Sequence, residues 1–131
     1  MEEKNLLDAL AQVKRIGGLL NEALDFSKQI AEAIDRNDQV AVEMLVHMRQ
    51  EPIDKMEAAE QALQEQTEAM PTPEDAARLN SLLKGSGEPP LTPFEQTLTD
   101  QAAANRRRLQ QILELDKRLN QRMAREKSVY Q

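Results

Sequence analysis

The 131-residue chain contains no cysteine and no tryptophan, one histidine, and three aromatic residues, Phe26, Phe94 and Tyr130. Without cysteine there are no disulfides, thiolate metal sites or thiol nucleophiles, and the redox compartment is left undetermined. So few aromatics cannot build the stacking platforms that hold single-stranded bases. No apolar run approaches the roughly 18 residues of a membrane span, and Met1-Glu2-Glu3-Lys4 lacks the basic and apolar regions of a signal peptide. Basic residues are also in deficit: 17 Lys and Arg against 23 Asp and Glu give a net charge of −6, which disfavours nucleic acids and anionic membranes as partners. The expectation is a single domain of a soluble intracellular protein.

The 40% of apolar residues are mostly Leu and Ala set among Gln, Glu and Arg, the composition of long helices with narrow apolar stripes. Leu6, Leu10, Val13, Gly17, Leu20, Leu24, Ser27, Ala31 and Ile34 alternate spacings of four and three, and Leu7, Ile16 and Ile30 widen this seam into a bundle face. A first helix over about 2–36 follows. Gly17-Gly18 interrupts it as a bend, a close approach of another helix, or a tolerated weak spot. Asp35-Arg36-Asn37-Asp38 is the next break, with Asn37 or Asp38 as N-cap, and the short turn makes a second helix, about 39–69, antiparallel to the first. That helix carries Val42, Leu45, Arg49, Pro52, Met56, Ala59, Leu63 and Gln66 on its seam. Pro52 predicts a kink with the helix resuming beyond it; the alternative is an end at Gln50 and a fresh start at Pro52.

Thr72 as N-cap and Pro73 at the first helical position open a short helix over about 73–84 with Leu79, Leu82 and Leu83 on its apolar side. Gly85 ends it, and 85–92 reads as a loop. Thr92-Pro93-Phe94-Glu95 repeats the start signal as a capping box. The last helix, about 93–127, bears Leu98, Ala102, Asn105, Leu109, Ile112, Asp116, Leu119 and Met123, with Lys127 to Gln131 expected to fray. With no strand-like alternation, the fold class is all-α: an elongated antiparallel bundle or hairpin of three long helices plus one short helix. The long helices span roughly 45 to 50 Å around a thin core.

Charge is segregated along the chain. From Asn105 onward eight basic residues face three acidic ones, +5, which leaves −11 for the remainder. Either the basic helix lies on acidic faces such as Glu57, Glu60, Glu65 and Glu68, or it meets an acidic partner or a second subunit.

Residues suited to chemistry are sparse. His47 has Glu43 one turn away but neither a second His nor a Cys to complete a metal site. The pairs Glu22/Asp25 and Glu57/Glu60 lack the Glu-x-x-His motifs of di-iron bundles. Gly85-Ser86-Gly87 has no following Lys at phosphate-loop spacing. Arg106, Arg107 and Arg108 fall on different sides of a helix and have no interleaved aromatics. No catalytic, metal or cofactor site is expected. Polar residues on the seams are more informative: Arg49, Gln66, Asn105 and Asp116 either specify register or keep a stripe soluble until a partner helix covers it.

A long first helix, then Ala33-Ile34-Asp35-Arg36-Asn37-Asp38 leading into Val42 to Lys55 with Leu45, Arg49-Gln50 and Ile53, a break, and a last helix containing Asn105 and Leu109-Gln110-Gln111-Ile112-Leu113 form an order of parts. That order resembles the flagellar type III export chaperones of the FlgN and FliT kind. The resemblance implies a small, acidic, cytoplasmic, non-enzymatic protein, monomer or homodimer. Such a protein holds the amphipathic C-terminal helix of a hook-associated or filament-cap subunit before export. On this reading the partner contacts Leu98, Ala102, Asn105, Leu109, Ile112, Leu119 and Met123, with the first two helices as scaffold. The alternatives are a structural coiled-coil or helical-bundle oligomer with no client, and a non-enzymatic regulator that sequesters a partner. Neither nucleic acid nor membrane is an expected partner.

Overall fold

Four helices, α1 (Glu3–Asp35), α2 (Gln39–Glu68), α3 (Pro73–Lys84) and α4 (Pro93–Tyr130), make up the computed structural model, which describes residues 1–130 and side chains through Arg125. Their starts have local causes. The Asp38 carboxylate accepts the Ala41 N–H at 3.0 Å, and the Thr72 and Thr92 hydroxyls accept the Asp75 and Glu95 N–H groups, each at 3.1 Å, which satisfies first-turn donors. Glu95 reaches back to the Leu91 amide at 3.2 Å, one residue earlier than a standard capping box. Asn37 takes a left-handed φ of 57° in the α1–α2 turn, and Gly85, at φ 69°, closes α3 as a left-handed C-cap. Past the expected fraying point at Lys127, α4 continues to Tyr130, and Gln131 lies outside the described residues.

Pro52 neither ends nor restarts α2, which runs unbroken through it. The ring is buried, and its missing N–H leaves the Met48 carbonyl without a helical donor.

The three long helices run up-down-up. Gln66 Nε2 donates to the Asn5 carbonyl at 2.9 Å, tying the end of α2 to the start of α1. α4 runs parallel to α1 and antiparallel to α2, because Asn105 meets Val13 near one end while Arg122 meets Asp35 at the other. The short α3 lies parallel to α4. Arg78 pairs with Glu95, and the Leu82 and Leu83 carbonyls accept from Thr99 and Arg106. The 85–92 loop must therefore double back, and Arg78 pins it by donating to the Glu88 and Pro89 carbonyls at 2.9 and 3.0 Å. Burial opposes ionisation of Glu95, but hydrogen bonds from Arg78 and the Leu91 amide outweigh it and hold the carboxyl below its usual range.

Apolar side chains stack in three layers. Leu6, Leu10, Val13, Leu79, Leu82, Leu98 and Ala102 fill the end where α3 adds a fourth helix. Ile16, Leu20, Leu24, Ala59 and Ile112 form the middle, and Ile30, Ile34, Val42 and Leu45 the far end, to which α4, among the described residues, adds only the partly buried Leu119. The core thins along the rod.

The two glycines of α1 differ. A Cβ on Gly17 would stand 2.8 Å from Asn105 Oδ1, whereas Gly18 faces open space. The bare Gly17 backbone lets Asn105 Nδ2 reach the Val13 carbonyl at 2.9 Å. Gly18→Ala is expected to stabilise by about 0.5–1 kcal/mol through helix propensity. Gly17→Ala, which must displace a doubly bonded Asn105, should come out about 1–3 kcal/mol below it in urea unfolding.

Candidate functional site

The seven residues assigned to a partner sit mostly inside the protein. Leu98 (0% exposed), Ala102, Asn105 and Ile112 are buried among the protein's own helices, and Leu119 is partly buried at the far end. Only Leu109 and Met123, 37% and 39% exposed, offer substantial free surface. The reason is geometric: with α4 parallel to α1, the α4 stripe completes the three-helix core.

All four polar seam residues are bonded across helices. Gln66 and Asn105 donate to α1 carbonyls, Asn105 Oδ1 accepts from Arg108 at 3.0 Å, and Arg49 Nη1 donates at 2.8 Å to both Ser27 Oγ and Asp116 Oδ1. Ser27, fully buried, donates its own hydroxyl hydrogen bond to the Ala23 carbonyl at 2.9 Å. Among the described residues no buried side-chain polar atom lacks a partner. This pattern favours the register reading of these residues over an intermittently exposed stripe.

The expected neutralisation of α4 by Glu57, Glu60, Glu65 and Glu68 is absent: among the described residues no ion pair joins them to α4. α4 is held instead by its acidic Asp116, on Arg49 of α2, and by Arg122 on Asp35 of α1. Arg106 and Arg108 serve the Leu83 carbonyl and Asn105, so the arginine triplet is partly structural. Arg107, Lys117, Arg118 and Arg125 are exposed, so the segregated charge persists on the surface.

Among the described residues no group of three His, Cys, Asp or Glu is placed to hold a metal ion. Burial, then the charge of Glu57, push Glu60 above the usual carboxylate range. It lines a cleft with Lys84, Asn105 and Arg106, of which Asn105 and Arg106 already donate to backbone carbonyls. Nor is any helix among the described residues long and apolar enough to cross a membrane.

Exposed apolar side chains are the surface's distinctive feature. Val40, Met44 and Met48, 78%, 56% and 45% exposed, repeat every fourth residue along the outer face of α2. Where this row ends, Met48 joins Phe26 and Pro52 in a groove between α1 and α2. A smaller pair, Leu109 and Leu113, lies one turn apart on α4. The α2 row escaped the periodicity because Val42, Leu45 and Arg49 already supply a regular seam. Its signal was present in Val40 to Met48, which is apolar on two faces where one suffices for the core. No family model, curated protein or solved structure matches this chain.

Proposed function

We propose that this protein is a non-enzymatic helix-binding chaperone of the flagellar export kind, which masks the amphipathic C-terminal helix of a hook-associated or cap subunit before export. One observation carries the reading: rows of large apolar side chains stand on the outer faces of helices that are already packed on their inner faces. Amphipathic helices recognise one another through such rows at helical spacing, and a surface of this kind on a slender bundle is suited to a transient helical client. Because the α4 stripe is occupied internally, the client surface is the exposed row on α2, the pair on α4, or both.

Light-scattering mass, measured with and without excess peptide from the C-terminal helix of a hook-associated subunit, tests this. A monomer or weak dimer that forms a stoichiometric complex is the expected result. A tight oligomer that ignores every such peptide overturns it in favour of a structural bundle.

A further inference from the structure

The groove between α1 and α2 has an apolar floor and an acidic rim. Phe26, Met48 and Pro52 form the floor, continued outward by Met44 and Val40. Glu22, Glu51 and Asp54 line the edges. The one lysine of the lining, Lys55, is engaged with Glu51 at 2.9 Å. α2 as a whole has the same sign: over Gln39–Glu68 seven carboxylates, Glu51 and Asp54 among them, stand against Arg49 and Lys55, and Arg49 points away into the bundle toward Ser27 and Asp116.

We propose that this groove binds a basic amphipathic helix, laying its apolar stripe along Val40, Met44 and Met48 with its lysines or arginines against Glu22, Glu51 and Asp54. The proposal rests on the helix-binding part of the function above and is independent of its flagellar part. Length fits: from Val40 to Pro52 the row runs about 18 Å, three turns of a docked helix. So does side-chain type, since unbranched, polarisable methionines adapt to clients of different shape. Charge complementarity decides the sign of the occupant. An acidic helix would set carboxylate against carboxylate along this rim, whereas the Leu109–Leu113 pair lies on the helix that carries the exposed arginines and lysines.

The protein's methionines report the test directly. Met44 and Met48 stand on the groove, Met56 against the middle layer of the core, Met123 on α4, and Met1 and Met70 beside the opposite end of the core. Two synthetic peptides of about 14 residues serve as probes, each with leucines spaced three and four apart. One carries lysine at every other position and its counterpart carries glutamate. In the full chain with ε-methyl-labelled methionine, the lysine peptide is expected to shift Met44 and Met48 while Met1, Met70 and Met123 stay in place. Fluorescence anisotropy should give affinity that falls with salt and is at least about tenfold weaker for the glutamate peptide. Met44→Gln with Met48→Gln replaces only exposed side chains, so circular dichroism should be unchanged while affinity falls about tenfold or more. Leu109→Gln with Leu113→Gln should bind as the parent does.

Preferential shift of Met123, equal affinity for the two peptides, no binding of the lysine peptide, or loss of binding only in the α4 variant would each overturn the proposal. If the lysine peptide occupies the groove while hook-associated peptides fail to bind, the groove stands and the flagellar reading falls. The reverse pattern removes the groove and leaves that reading intact.

Discussion

Replacing Leu98 by alanine is expected to lower the stability of the bundle by about 2–5 kcal/mol, whereas Leu109→Ala, on the same stripe of α4, should cost less than about 1 kcal/mol. Leu98 is fully buried in the layer where α1, α3 and α4 meet, packed with Leu6, Leu10, Leu79 and Leu82. Truncation there loses transfer free energy and leaves a void lined by large side chains from three helices, which cannot all relax into it. Leu109 is 37% exposed, so its removal uncovers little that was dry. Urea unfolding followed by helical ellipticity measures both. Equal losses would mean that the stripe is buried uniformly along α4, against the arrangement described above.

The second large effect belongs to Arg49. Its guanidinium, with the side chain 15% exposed, joins three helices by polar contact, through Ser27 of α1 and Asp116 of α4. Asp116→Ala strands a largely desolvated cation. A fully buried pair broken in this way costs about 3–5 kcal/mol, and with Asp116 about a third exposed the expected loss is about 1–3 kcal/mol. The double variant Arg49→Met with Asp116→Leu removes both charges and should recover most of that loss, because apolar side chains of similar volume pack without a desolvation penalty. A double variant no more stable than Asp116→Ala alone would show that the pair contributes through shape rather than charge.

The helix boundaries were legible because they are local. Asp38, Thr72-Pro73, Gly85 and Thr92-Pro93 announce starts and stops through side-chain acceptors and backbone conformation that need no tertiary partner. The seam polar residues were legible as exceptions, though not their mates: nothing in the periodicity of α4 tells that Asn105 meets Val13 across 92 residues of chain. The partner-binding stripe could not be told from a core stripe, since both are apolar residues at spacings of three and four, and only the direction of α4 relative to α1 separates them. Charge was a poor guide to contacts for a related reason. Exposed ion pairs are weak, so the basic helix is positioned by packing and by a few polar ties, among them Asn105 to Val13, Asp116 to Arg49 and Glu95 to Arg78, while Arg107, Lys117, Arg118 and Arg125 face water. The outer row of α2 was the least legible, because a residue such as Met44 differs from a core residue only in the direction it faces.

The parallel pairing of α1 and α4 also orders how the molecule is assembled. Hairpin contacts between α1 and α2 close across a turn of residues 36–38, while α4 reaches its place on α1 only after loops many times longer have been brought together. Loop-closure entropy therefore favours early formation of the α1–α2 pair and late docking of α4. During synthesis the hairpin is complete before α4 has emerged. For that interval the nascent chain displays the side of α1 around Val13 and Ile16 that the finished protein conceals, and its solubility depends on how soon the last helix arrives.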